Sequence, residues 1–179
     1  RNGFASTGEI DQAQLAKLEQ EGIARLARKK PEPRVADKKY RHAVAVIIGN
    51  KNYSSWSLRP WIVLKQADIP FTERMILLFD ENWDAEISKV SPTKKVPVLI
   101  DGDITICETL AILEYAHELY PEKELWPTDQ RARAVARSVS SEMHAGFGAL
   151  RNHMSMNIRK DHTGRGMGPG VAEDISRVS

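Results

Sequence analysis

The chain of 179 residues is poor in three features that mark particular classes of protein: cysteine, long apolar runs and net charge. Cys107 is its single cysteine, so an internal disulfide is impossible and a reducing, cytoplasmic location is expected. It has no apolar run near the roughly 20 residues that span a bilayer, so no membrane partner is expected. The formal net charge is only +2, so neither sign of charge is in large excess. Residues 1–42 hold ten Lys and Arg against six Asp and Glu, which leaves the remainder slightly acidic. We therefore expect no nucleic-acid partner.

Residues 1–42 differ in pattern from the rest. Apolar residues recur at a loosely helical spacing between Glu9 and Lys30, and a basic, proline-containing stretch follows from Arg28 to Pro33. We interpret this segment as a basic N-terminal extension, helical or disordered, outside the globular part.

From Ala43 the pattern predicts alternating strands and helices. Pro70 and Pro92 end helices, and Asp101-Gly102-Asp103 is typical of a hairpin turn. The predicted strands are 43–48, 71–77, 96–100 and 104–106, and the predicted helices are 57–67, 80–90 and 109–119. The order βαβ-α-ββ-α predicts a small α/β sandwich with a parallel crossover.

Beyond Trp126-Pro127 the sequence predicts helices only, over 129–160 and again over 171–178. His144, His153 and His162 recur at nine-residue intervals, which places successive members on different sides of a helix, so we expect no metal site.

A serine-rich loop joins the first strand to the first helix. Ser54, Ser55 and Ser57 lie where unpaired N–H groups and the positive end of the helix dipole favour an anion. From these residues alone an ordinary N-cap is the alternative, and it is favoured over the anion site. Arg59 lies in the first turn of the predicted helix, where a positive charge interacts unfavourably with the helix dipole. We therefore expect it to have a carboxylate partner or a structural role.

Three motifs in order carry a family resemblance: Ser54-Ser55-Trp56-Ser57-Leu58-Arg59, Val96-Pro97-Val98-Leu99, and Glu108-Thr109-Leu110-Ala111-Ile112 with Tyr115. Together they resemble the thioredoxin-like N-terminal domain of cytosolic glutathione transferases, nearest to the zeta class, the maleylacetoacetate isomerase type, and related bacterial enzymes. The resemblance implies a thioredoxin-like domain at 43–122 and the start of an all-α C-terminal domain at 128–179. That second domain is shorter than in the family, so we expect a C-terminally truncated member.

The resemblance also implies a ligand and its site. Glutathione, the co-substrate, would be bound by Lys95, Val96, Pro97, Glu108 and Thr109, with the Val96-Pro97 bond cis. Thr109 stands where the family usually has Ser, which keeps the hydroxyl. Ser54, or else Ser55, would donate to the thiolate, with Tyr53 ranked third. A free thiol has a pKa of about 8.5, so its anion must be stabilised at neutral pH.

Two functions are therefore open. The first is a glutathione transferase of the detoxification type, a homodimer that conjugates glutathione to a small electrophile or isomerises a substrate with it. The alternative is a catalytically weak or inactive binding or assembly module of the same fold.

Overall fold

The computed structural model describes residues 44–179. The extension predicted for residues 1–42, and Ala43 at the start of the first predicted strand, lie outside the described residues. Within the described part, no helix is both long enough and apolar enough to cross a membrane.

Four strands in this part of the chain form one mixed sheet. They are β1 (Val44–Ile48), β2 (Thr72–Met75), β3 (Val98–Asp101) and β4 (Ile104–Cys107), in the spatial order β2-β1-β3-β4. β1 pairs parallel with β2 and antiparallel with β3, and β3 pairs antiparallel with β4. The predicted parallel crossover and the predicted hairpin are both confirmed.

Three helices accompany the sheet: α1 (Ser55–Gln66), α2 (Trp83–Ile87) and α3 (Thr109–Leu119), and a short 3₁₀ turn, Pro121–Lys123, follows. α1 begins two residues before the predicted start at Ser57, because Ser54 and not a later serine is the N-cap. α3 has the predicted bounds.

The core lies on both faces of the sheet because successive strand residues point to opposite sides. Val46 and Ile48 of β1 are buried in one cluster with Leu64 of α1 and Ile112 of α3. Ile47, between them in sequence, belongs to a second cluster that contains Ile87 of α2. The helices thus cover the sheet from two sides, as the predicted sandwich requires.

The helical segment after residue 127 is broken where one helix was predicted. The structure has α4 (Gln130–Ala145), α5 (Gly148–His153) and α6 (Val171–Val178). The prediction of a continuous helix over 129–160 is wrong, because Gly146 is extended and Phe147 adopts a left-handed conformation with φ 61°. The predicted helix at 171–178 is confirmed. The predicted division into domains at 43–122 and 128–179 stays a prediction.

Candidate functional site

A cavity of about 360 Å³ lies where the first turn of α1, the loop before β3, the start of α3 and the end of α4 meet. It is lined by Trp56, Thr93, Lys95, Val96, Pro97, Glu108, Thr109, His144 and Ala145. Five of the seven residues predicted for the site are thus brought together. The two predicted serines, Ser54 and Ser55, are not among the lining residues.

The loop before β3 forms one wall of the cavity. The Val96-Pro97 peptide bond is cis, as expected. Pairing of β3 with β1 begins only at Val98, so the backbone of Val96 lies outside the sheet ladder. Ser91 holds the loop in place, since its hydroxyl donates to the Lys95 carbonyl (2.9 Å) and accepts from the Lys95 N–H (3.2 Å).

The start of α3 also lines the cavity. Glu108 is its N-cap residue and has φ 72° and ψ 131°, a conformation that costs a non-glycine residue of order 1–3 kcal/mol. Such strain is concentrated at functional sites. Thr109 is fully buried, and its hydroxyl donates to the carbonyl of Trp56 (3.2 Å). The hydroxyl proton of Thr109 is therefore used within the protein, whereas the N–H groups of the first helical turn have no intrahelical acceptor.

The serine loop forms a closed hydrogen-bond network. Ser54, 7% exposed, donates through its hydroxyl to Ser57 Oγ (2.7 Å) and accepts from the Ser57 N–H (3.3 Å). Ser57 Oγ also accepts from the Gly49 N–H (3.0 Å). The N-cap reading of this loop is thus correct for Ser54. Its role toward a thiolate stays a prediction, as does that of Ser55, which is half-buried in the first turn.

Other residues at the site were missed or misjudged from sequence. His144, considered only as a metal ligand, lines the cavity, with Nε2 3.5 Å from Glu108 Oε2. Its ring meets Trp56 edge to face, with centroids 5.0 Å apart. No sequence signal pairs residues so far apart. Of the two alternatives expected for Arg59, the carboxylate partner is absent among the described residues, and its guanidinium lies over the Trp56 ring, in keeping with a structural role. Burial, and then the charge of Arg151, lower the pKa of Arg59.

Comparison with known proteins fits this geometry. Residues 50–124 match the family model described as the N-terminal domain of glutathione S-transferase. This stretch is similar to the N-terminal domains of glutathione S-transferases. All seven predicted site residues lie within the matched stretch.

Curated relatives match the same region. A probable maleylacetoacetate isomerase of Caenorhabditis elegans is 34% identical over 99 residues, which are 55% of this chain and 45% of that protein. Glutathione S-transferase Z2 of Arabidopsis thaliana is 32% identical over 114 residues, 60% of this chain and 49% of that protein. The chain thus spans about half the length of these relatives.

Solved structures give the same fold. A glutathione transferase homologue from Burkholderia, solved with bound glutathione, has 27% identity and a TM-score of 0.53 over 63% of this chain and 62% of that chain. The apo form of human glutathione S-transferase T1-1 has 32% identity and a TM-score of 0.50 over 56% of this chain and 42% of that one. These likenesses support the thioredoxin-like assignment of the mixed sheet.

Proposed function

We propose that this protein binds glutathione and activates its thiolate, either for conjugation to a small electrophile or for a glutathione-dependent isomerisation. The observation that carries the proposal is the shared cavity, which the Val96-Pro97 loop and the start of α3 both line. The predicted glutathione site requires this loop and this helix start to lie at one surface.

Each end of glutathione has a partner of suitable chemistry there. The backbone of Val96, outside the sheet ladder, would pair with the cysteinyl amide of the ligand. The first-turn N–H groups of α3 and the Thr109 oxygen would hold the γ-glutamyl group, whose ammonium would pair with Glu108. Lys95 lines the same cavity and would meet the glycine carboxylate.

Thiolate activation needs one rearrangement in the serine loop. Ser54 now gives its proton to Ser57 Oγ. A hydroxyl rotates freely, so Ser57 can donate to Ser54 instead, since Ser57 Oγ already accepts from the Gly49 N–H. That reversal would free the Ser54 proton for the thiolate. One hydroxyl donor with a helix N-terminus can lower a thiol pKa by roughly one to three units, at about 1.4 kcal/mol per unit.

The second candidate function is a glutathione-binding module with weak or no catalysis. It is favoured by one observation, that neither Ser54 nor Ser55 is among the residues lining the cavity. The two candidates share the binding site and differ only in what happens to the thiol.

Calorimetry and a turnover assay separate these cases. Glutathione should bind the unmodified protein, and Glu108→Gln should weaken binding about tenfold or more because a charged hydrogen bond contributes about 1.5–3 kcal/mol. Glu122→Gln, an exposed carboxylate in the 3₁₀ turn, is the matched control and should bind normally. Turnover of an aromatic halide supports the transferase, and binding without turnover supports the module. Absence of glutathione binding to the unmodified protein contradicts both.

The finer features of the family are proposed on the same basis. A homodimer is supported by exposed apolar side chains on α4, with Val135 63% and Val139 55% exposed. A single molar mass, equal to that of the monomer at every concentration in light scattering, would contradict it. We also propose a cytoplasmic location and a role in detoxification, the first supported by the free thiol of Cys107.

A further inference from the structure

His144 connects three elements at the cavity. It lies in the last turn of α4, lines the cavity, and has its Nε2 atom 3.5 Å from Oε2 of Glu108, the N-cap residue of α3. Its ring also meets the Trp56 ring of α1 edge to face, with centroids 5.0 Å apart. The imidazole is therefore held beside the carboxylate that the proposed function assigns to the ammonium of glutathione.

The two nitrogens of this imidazole have different surroundings. Nδ1 is buried and has no hydrogen-bond partner within residues 44–179. A proton on Nδ1 would lack an acceptor, so the neutral ring carries its proton on Nε2, toward Glu108. Protonation of the ring adds the unfavourable N–H at Nδ1, and the Glu108 carboxylate is the group that offsets this cost.

The other charges around the ring do not replace Glu108. Three cations oppose a positive charge on His144, one lining the cavity and two over the Trp56 ring: Lys95, Arg59 and Arg151. Glu142, two residues earlier on α4, is paired with Arg177 through two hydrogen bonds of 2.6 and 2.8 Å. The C-terminal end of α4 favours a positive charge, but it does so equally with and without a ligand.

We propose that His144 is a positioning residue that acts through Glu108, because its protonation withdraws the Glu108 carboxylate from the ammonium of glutathione. Neutral His144 leaves the carboxylate to the ligand, whereas protonated His144 pairs with it and repels the ammonium. This inference rests on the proposed function, since it makes that binding depend on pH. By linkage, glutathione binding releases a proton from His144, and the affinity falls as the pH falls.

The test is a calorimetric titration with S-methylglutathione, whose blocked sulfur removes the titration of the thiol. The dissociation constant should rise about threefold or more between pH 8 and pH 6. Histidine ordinarily changes charge between about pH 5 and pH 8, and coupled sites typically change each other's affinity about 5- to 150-fold. The analogue of the same ligand without its α-ammonium should lose this rise, because nothing then competes with His144 for Glu108.

Two substitutions with opposite charge states separate this role from a structural one. His144→Gln is neutral at every pH and should abolish the rise, whereas His144→Lys is charged throughout and should bind weakly at pH 8 as well. A purely structural role would make the two variants alike. His162→Gln, at an exposed histidine in the loop before α6, is the matched control and should keep the rise.

A second measurement needs no variant. Titrations of the unmodified protein near pH 6.5 in two buffers of different ionisation enthalpy count the protons released, and S-methylglutathione should release a fraction of one proton. No proton release, a rise that survives His144→Gln, equal affinities of the Gln and Lys variants at pH 8, or an equal rise for the analogue without the ammonium overturns the inference. A failure of the proposed function is distinct, because it appears as no binding of S-methylglutathione at any pH.

Discussion

The contact between α1 and the start of α3 allows a quantitative prediction. Pro60 lies inside α1 and has no N–H, so the Trp56 carbonyl one turn earlier lacks its helical donor. Thr109 supplies the missing donor through its hydroxyl at 3.2 Å. Thr109→Val keeps the shape of the side chain and removes that donor.

The expected cost follows from the burial of the group. Thr109 is 1% exposed and its bond to the Trp56 carbonyl is partly buried, so water can replace the lost donor only in part. Losing a hydrogen bond costs about 0.5–1.5 kcal/mol net, and a carbonyl left unsatisfied in a fully buried place costs about 1–3 kcal/mol. Because this bond is partly buried, Thr109→Val should lower the free energy of unfolding by about 1–2 kcal/mol. Pro60→Ala restores a backbone N–H facing Trp56. The double variant should therefore lose about 1–2 kcal/mol less than the two single variants together.

The assay is urea unfolding followed by far-ultraviolet circular dichroism for the four proteins of the cycle. Thr105→Val, at an exposed threonine of β4, is the matched control and should change stability by less than about 0.5 kcal/mol. Free energies that add within about 0.5 kcal/mol would refute the reasoning, because the hydroxyl and the restored amide would then not serve the same carbonyl.

Three further predictions concern other parts of the chain. Ser54→Ala should raise the thiol pKa of bound glutathione by at least about one unit, measured from thiolate absorbance, with Ser55→Ala as the control. No shift in either variant would mean that backbone N–H groups and the helix dipole stabilise the thiolate. The Arg137 hydrogen bond lowers the pKa of Glu114 below 4.5, so the pair stabilises the fold above that pH and this contribution is lost as the pH falls through the lowered value. Glu114→Gln should thus cost under about 1 kcal/mol at neutral pH and flatten the acid dependence of the urea midpoint, and an unchanged slope would contradict this. Phe79 is 92% exposed and has φ 65°, so Phe79→Gly should raise the free energy of unfolding by about 1 kcal/mol and Phe79→Ala should raise it less. An equal urea midpoint for the two variants would contradict backbone strain at this position.

Local sequence signals predicted the sheet well because each depends on neighbouring residues. β1 and β3 are interior strands covered on both faces, and the apolar runs that predicted them follow from that burial. The hairpin needed only the turn residues around Gly102, whose φ is 60°. Motif resemblance then named five residues that share one cavity.

Long-range contacts were out of reach of the same signals. Helical periodicity continued through Gly146 and Phe147, but the backbone there ends α4. The position of His144 beside Glu108 depends on how α4 meets α3, which no local pattern specifies. The helix dipole left either a carboxylate partner or a structural role open for Arg59, and it could not specify the neighbours that the structure shows, the indole of Trp56 and the charge of Arg151.

The most direct test of the central claim is a titration of the ¹⁵N-labelled protein with glutathione, followed by amide chemical shifts. The account predicts saturable changes concentrated at Lys95, Val96, Glu108 and Thr109, with smaller changes in the serine loop. The control titration with γ-glutamate-free cysteinylglycine should leave Glu108 and Thr109 unmoved, because their predicted partner is missing. Saturable shifts elsewhere, or none at these amides, would contradict the assignment of the glutathione site.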